Sequence, residues 1–180
     1  MPHVFLSLRS VLACSTLVCL AQLGCSDSNP LTPQDKDLAA LRQAVSGMRD
    51  LSAAQTAGYT VAVGDPGDGH TCLSDATQGA MGVHYLNTTL VDDTGIVTKP
   101  EIMIYEPQQD GSMKFVGVEY IIEKGPTAAL GGQLFNFTNS PNRYGLPTFW
   151  EVHVWAWKAN PMSVFADMNP DASCAFTPAQ

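Results

Sequence analysis

The spacing of apolar residues predicts one amphipathic helix early in the chain. Within residues 35–57, large apolar side chains recur every three or four positions, which is the period of one helix face. These residues are Leu38, Leu41, Val45, Met48 and Leu51. Asp35 or Asp37 is a suitable N-cap, and Gly58 is a suitable stop. We expect this helix to pack its apolar face against a sheet.

Four later segments are rich in β-branched and aromatic residues and are bounded by turn residues, which predicts strands. They cover residues 79–86, 101–106, 114–122 and 149–157. Asp110-Gly111 lies between the second and third and is typical of a hairpin, so these two strands should pair. Residues 59–63 and 134–137 are candidate short strands, whereas residues 64–78 are predicted to be a loop. The predicted fold class is α+β, with one helix on a curved antiparallel sheet or half-barrel of four to six strands.

Side chains alternate between the two faces of a strand, so each strand residue can be assigned to a face. In residues 149–157, Glu151 and His153 share one face, and a stripe of valine and alanine occupies the other. His84 and Glu119 each lie mid-strand among apolar neighbours in two other strands. If the sheet curls, these four polar residues should converge in its interior.

Two imidazoles and two carboxylates form a ligand set that suits Zn, Mn, Fe or Cu. One hypothesis is therefore a divalent transition metal as the cofactor, with His84, Glu119, His153 and Glu151 as its ligands. The same groups can act as acid and base without a metal, provided that burial keeps one glutamic acid neutral. A third interpretation is a solvated sheet face without a function. No catalytic residue is predicted.

Three aromatic residues are candidates for the lining of a small-ligand pocket. Trp155 and Trp157 extend the strand face that carries His153, and Tyr105 follows in another predicted strand. The alternative is that they belong to the core or its rim. The chain contains no GxGxxG, P-loop, GxSxG or HExxH motif, so the enzyme classes that these motifs define have no sequence support.

The N-terminal residues 1–24 have the properties of a secretory signal peptide. Arg9 supplies positive charge, and the apolar run over residues 11–23 that follows is shorter than the roughly 20 residues of a membrane-spanning helix. Export from the cytoplasm is therefore predicted.

The end of this signal, Leu23-Gly24-Cys25, resembles the lipobox of bacterial lipoproteins, in which cleavage exposes a cysteine that is then lipidated. Gln22 departs from the pattern, because the lipobox usually has leucine three residues before the cysteine. The resemblance implies a bacterial envelope protein whose Cys25 anchors it to a membrane, at the outer membrane or cell surface. Plain secretion is the alternative. Residues 25–37 are predicted to comprise this lipidated cysteine and a flexible spacer.

Composition and cysteine content agree with an exported, folded domain. An apolar fraction of 45% and a charged fraction of 14% predict one globular domain, over residues 38–180. Removal of residues 1–24 leaves 8 basic and 17 acidic residues, a net charge of −9. Such a surface repels phosphates, so nucleic acid is not a predicted partner. In an oxidising compartment, Cys72 and Cys174 should form a disulfide, and two free thiols are the alternative.

Several segments together resemble an uncharacterised family of small exported bacterial proteins. They are GAMGVHY, PEIMIYEP, VGVEY, EVHVWAWKANP, and FADMNP with the cysteine that follows it. The resemblance extends from the predicted helix to Cys174, and it implies no activity, cofactor or catalytic residue.

The sequence as a whole predicts a lipid-anchored extracytoplasmic protein that binds a small ligand or a metal ion, or acts as an accessory lipoprotein. One alternative is a metal-dependent enzyme that uses His84, Glu119 and His153 inside a β-barrel. Another is a structural envelope protein without a pocket.

Overall fold

The structure is a computed structural model that describes residues 32–64, 71–124 and 131–177. The predicted signal peptide, Cys25 and residues 26–31 of the predicted spacer lie outside the described residues. Within the described ranges, no helix is both long and apolar enough to cross a bilayer.

Three short helical segments replace the continuous helix that was predicted for residues 35–57. Helix α1 covers Pro33–Ala44, a 3₁₀ turn covers Ser46–Met48, and helix α2 covers Leu51–Thr56. The N-cap is Thr32, and not Asp35 or Asp37 as predicted. Helix α1 therefore begins within residues 25–37, which were predicted to be a spacer. The Thr32 hydroxyl accepts a hydrogen bond from the Asp35 amide, and the Asp35 carboxylate accepts one from the Thr32 amide. This reciprocal pair is a capping box.

The apolar stripe of this region faces the sheet, as predicted, although the helix breaks in its middle. Leu41 and Val45 are buried in a cluster with strand residues. The break follows at Ser46, whose hydroxyl donates to the Gln43 carbonyl and so competes with helical bonding. Gly58 stops α2 with a φ of +100°, as predicted.

Within the described residues, seven strands form one antiparallel sheet. They are β1 (Val61–Val63), β2 (Cys72–Asp75), β3 (Gly79–Leu86), β4 (Ile102–Pro107), β5 (Met113–Ile122), β6 (Asn136–Thr138) and β7 (Phe149–Val154). Six of them run across the sheet in the order β1-β3-β4-β5-β7-β6, and β2 also pairs with β3. The α+β class, with a helix on a curved antiparallel half-barrel, is therefore confirmed.

Two strand predictions need correction. The loop predicted for residues 64–78 contains β2, which pairs with β3 although turn residues surround it. Strand β7 ends at Val154 and not at Trp157, because the Trp155 amide donates to the Val164 carbonyl of the following segment. The predicted hairpin is confirmed: β4 pairs with β5 around Gly111, which has a φ of +81°.

The two faces of the sheet bury different apolar clusters. The helices cover one face, whose cluster includes Met103, Tyr105, Val118, Tyr120, Val152 and Val154. The other face carries a second cluster that includes Leu86, Ile104, Ile121, Phe149 and Trp155. By strand alternation, His84, Glu119 and His153 belong to this second face, where all three are buried. Tyr144 and Ala172, from the segments after β6 and β7, contribute to the apolar packing on this second face.

The C-terminal segment is held to the sheet by covalent and ionic contacts. Cys72 and Cys174 form a disulfide across a sequence separation of 102 residues, as predicted. Glu106 also receives hydrogen bonds from the Lys158 ammonium, at 3.0 Å, and from the Ser173 amide, at 2.9 Å. The segment that follows β7 is thus fixed against the second face.

Glu101 is a buried carboxyl group that precedes β4. It is 1% exposed, and its Oε2 accepts a hydrogen bond from the Ile121 amide at 2.9 Å. Burial raises the pKa of Glu101 from 4.5 to about 8, because lost hydration outweighs the stabilising hydrogen bond. Between these two values the folded protein keeps the proton and the unfolded chain releases it.

The contribution of Glu101 to the free energy of unfolding should therefore be complete below pH 4.5 and decline as pH rises toward 8. The slope is about 1.4 kcal/mol per pH unit for one such group. Glu101→Gln removes this titration, so we expect a flatter pH dependence of stability than in the wild type, measured by urea unfolding. Equal slopes in the two proteins would contradict this expectation.

Candidate metal centre

Curvature of the sheet brings together three side chains from strands that are not all neighbours. His84 lies on β3, Glu119 on β5 and His153 on β7. Glu119 and His153 face each other in the β5–β7 ladder. His84 is three strand spacings from His153, which is about 14 Å in a flat sheet. Their Nε2 atoms are nevertheless 3.0 Å apart, so the sheet must curl to join them.

Two glycines allow close backbone approaches within the curved sheet. Gly117 lies on the same face of β5 as Glu119, and a Cβ at this position would be 2.7 Å from the Val154 carbonyl oxygen. Gly82 has a φ of +85°, and a Cβ there would be 2.8 Å from the Tyr105 carbonyl oxygen. Only a residue without a Cβ permits these close backbone approaches. Gly82 lies on the same strand as His84, and Gly117 lies on the same strand as Glu119.

The three ligand atoms form a compact triangle. His84 Nε2 is 3.3 Å from Glu119 Oε2, His153 Nε2 is 3.7 Å from the same oxygen, and the two nitrogens are 3.0 Å apart. All three residues are at most 1% exposed, which excludes the solvated face as an interpretation for them. The three side chains each offer one ligand atom, and these atoms lie close enough together to hold a metal ion.

A tyrosine and an arginine from the loop between β6 and β7 complete one side of the centre. The Tyr144 hydroxyl lies 2.8 and 2.7 Å from the two carboxyl oxygens of Glu119. Arg143 Nη2 donates to the same hydroxyl, and it lies 3.4 Å from His84 Nε2 and 3.8 Å from Glu119 Oε2. Arg143 Nη1 donates to the sulfur of Met81 at 2.9 Å.

Glu151 lies beside the triangle and not within it. Thr138 donates to its Oε1, whereas its buried Oε2 receives no hydrogen bond from a donor group in the described residues. The carboxyl groups of Glu151 and Glu119 lie close enough to change each other's pKa, and a proton on one of them relieves their repulsion. Glu151 was predicted as a fourth ligand, and the structure places it next to a ligand.

The environment determines which of these groups carries a proton. Burial raises the pKa of Glu119 well above its usual range, and the hydrogen bond and charge of Glu151 act in the same direction. Burial also acts to raise the pKa of Glu151, but the hydrogen bond from Glu119 and the neighbouring His153 together lower it. The proton that the two carboxyl groups share therefore belongs to Glu119.

Both histidines have partners on the far side of their rings. Burial lowers the pKa of His84 well below its ordinary value, and the nearby Arg143 lowers it further, so this ring is neutral. The His84 ring also hydrogen-bonds to the backbone of Gly82. His153 Nδ1 is 3.5 Å from Asp167 Oδ1, a distance that suits an ion pair but lacks the alignment of a hydrogen bond.

The aromatic candidates lie in other environments. Tyr105 is fully buried on the helix-covered face, and its hydroxyl donates to the Met48 carbonyl. Trp155 is a core residue whose indole donates to the Ala166 carbonyl. Trp157 packs on Phe115 and lines a separate surface cavity of about 340 Å³.

Sequence reasoning did not identify Arg143, Tyr144 and Asp167 as part of the centre. All three lie in segments without regular structure, where no periodicity assigns a side chain to a face. One signal was available: Arg143 is the only arginine after residue 49, and it lies in a loop that otherwise lacks charge.

Comparison of the chain with protein-family models, with curated proteins and with solved structures finds no match. The function must therefore be argued from the site itself.

Proposed function

We propose that this protein is an exported metal-binding protein whose divalent ion is held by His84, Glu119 and His153. The observation that carries this proposal is the size of the ligand triangle, whose sides are 3.0, 3.3 and 3.7 Å. A point equidistant from its three corners lies about 2 Å from each, which matches the roughly 2.0–2.2 Å that zinc keeps from imidazole nitrogen and carboxylate oxygen.

The protonation pattern also fits a bound cation. The hydrogen bond of the His84 ring to the Gly82 backbone favours the tautomer whose Nε2 lone pair faces His153 Nε2, 3.0 Å away. This lone pair can accept a proton from His153 or bind a metal ion. Metal binding would also displace the proton of Glu119, whose carboxylate would then be neutralised by the ion.

The donor set and its burial define the class of ion. Two neutral imidazoles and one carboxylate suit Zn²⁺, Cu²⁺, Fe²⁺ or Mn²⁺, and not Ca²⁺, which prefers six to eight oxygens. When bound, such an ion would supply Lewis acidity. Because the three ligands are at most 1% exposed, the site favours ion binding over turnover of a large organic substrate.

The test is a metal analysis of mature protein that is purified without an affinity tag and without reductant. We expect the metal-free protein to take up one equivalent of Zn²⁺, Cu²⁺, Fe²⁺ or Mn²⁺ in equilibrium dialysis. Elemental analysis of the dialysed protein measures the ratio. Absence of stoichiometric uptake at saturating concentrations of all four ions would refute the proposal and would favour a structural envelope protein.

The proposed location is the bacterial cell envelope, with the domain anchored through a lipid on Cys25. The disulfide between Cys72 and Cys174 supports an oxidising compartment. We expect Cys25→Ala to move the protein from the membrane fraction to the soluble exported fraction, because one residue carries the whole anchor. Fractionation followed by immunoblotting measures this, and Cys14→Ala within the predicted signal peptide is the matched control. Continued membrane association of the Cys25→Ala protein would count against lipidation.

A further inference from the structure

Arg143 is a largely buried guanidinium whose ion-pair partner, within the part of the chain that the structure describes, is the proposed ligand Glu119. Its side chain is 13% exposed. Its donors reach the thioether of Met81, which is a weak acceptor, and the Tyr144 hydroxyl, and Nη2 also lies 3.4 Å from His84 Nε2. Glu119 Oε2 is 3.8 Å away, beyond hydrogen-bond distance. A guanidinium has five donors in a fixed fork that matches an oxyanion, and none of these contacts places that fork on a carboxylate.

The Arg143 guanidinium lies directly beside the ligand triangle. Arg143 Nη2 approaches two of the three corners, at 3.4 Å from His84 Nε2 and at 3.8 Å from Glu119 Oε2. A divalent cation and a guanidinium this close repel each other in a buried site, where the effective dielectric constant is low. An anion that contacts both of them removes this repulsion.

The ligand count leaves room for such an anion. Three protein ligands do not complete even a four-coordinate shell, and the fourth position in sites of this kind takes water or a substrate. The other carboxyl group nearby, Glu151, lies outside the triangle, where Thr138 donates to its Oε1. The fourth position is therefore open to a donor that the triangle does not supply.

We infer that the centre binds its metal ion together with a small oxyanion, a carbonate, carboxylate or phosphate group held by the Arg143 guanidinium. This inference rests on the proposed metal site. It makes the protein a receptor for a metal–anion pair, in which each component raises the affinity for the other.

The test compares zinc affinity in buffers with and without oxyanions. Metal-free protein is titrated with Zn²⁺ against a chromophoric chelator, so that free zinc is known in each buffer. One buffer contains only a zwitterionic sulfonate and perchlorate, and the others add formate, bicarbonate or phosphate. We expect an added oxyanion to lower the Kd for zinc about 5- to 150-fold, the usual range of coupling between two ligands. The oxyanion that lowers the Kd for zinc most strongly identifies the chemical class of the anion that the site prefers.

Two arginine variants locate the effect. Arg143→Met should bind zinc without responding to any of the anions, and Arg49→Met, which removes an exposed arginine from the Trp157 cavity, should respond like the wild type. Near-UV circular dichroism checks folding, and Arg143→Gln, which is also uncharged, replaces the methionine variant if that variant does not fold.

The outcomes separate the two proposals. Zinc binding of equal strength in all buffers, or an undiminished anion response in Arg143→Met, would overturn the inference and leave the metal site standing. Absence of zinc binding in every buffer would overturn both.

Discussion

Replacement of His153 by alanine is expected to abolish stoichiometric zinc binding. The imidazole of His153 is one of only three proposed ligands, and in a site that is fully buried no water-exposed side chain can take its place. Changes to residues that merely orient a ligand lower metal affinity by about 10- to 100-fold, so loss of a ligand itself should exceed this range. His84→Ala should have the same effect, because its Nε2 occupies an equivalent corner.

The matched control for these variants is Glu101→Gln, which alters a buried polar residue outside the triangle. It should bind zinc like the wild type. Equilibrium dialysis with elemental analysis measures binding, and far- and near-UV circular dichroism of the metal-free proteins shows whether each variant is folded. A folded His153→Ala protein that still takes up one equivalent of zinc with unchanged affinity would rule out this residue as a ligand.

Zinc should also stabilise the wild type and not the histidine variants. A ligand that binds only the folded state raises the free energy of unfolding by RT ln(1 + [L]/Kd), which is about 2.7 kcal/mol at a concentration of 100 Kd. A shift in thermal midpoint on addition of zinc that is absent in His84→Ala and His153→Ala would therefore support the assignment independently.

Removal of the disulfide is expected to have the largest effect on stability. Cys72 and Cys174 are separated by 102 residues, so the cross-link closes most of the folded chain into one loop. In the chain-entropy model, a loop of this length stabilises the folded state by about 4.7 kcal/mol, because the cross-link restricts the unfolded ensemble. A domain with a total stability of about 5–15 kcal/mol loses a large part of it.

The double variant Cys72→Ser, Cys174→Ser tests this in urea unfolding of the metal-free protein. Its free energy of unfolding should be lower than that of the wild type by about 4–5 kcal/mol. The wild type unfolded in the presence of a reductant is the matched control and should resemble the double variant. A loss below about 1 kcal/mol would show that the ion pair of Glu106 with Lys158 and the core contacts are sufficient to hold the C-terminal segment.

Strand assignment was largely predictable from the sequence. The content of β-branched and aromatic residues, bounded by turn residues, placed β3, β4, β5 and β7 within two or three residues of their observed ends, and Asp110-Gly111 marked the hairpin. These signals are local, because strand and turn preferences are properties of neighbouring residues. The helix was harder to delimit: its apolar stripe continues through Val45 and Leu51, although Ser46 and Gly47 interrupt the backbone, so periodicity alone gave a helix that is too long.

Side-chain parity within each strand was also available from the sequence, and convergence of His84, Glu119, Glu151 and His153 was a hypothesis that depended on curling of the sheet. The sequence did not decide whether the face that carries them is solvated, since a polar residue on a strand face occurs in both cases. Burial depends on what covers the face, which here includes Tyr144 from a loop and Ala172 from the disulfide-bound C-terminal segment.

By itself, therefore, the sequence determined the fold class, the hairpin, the pair of cysteines and the polar residues that share a face within one strand, because each of these follows from local pattern or from simple counting. Only the tertiary structure decided that His84 meets His153 across three strand spacings, since this contact depends on the curvature of the whole sheet. It alone placed Arg143 and Asp167 beside them, because residues in irregular segments have no period from which their direction can be read.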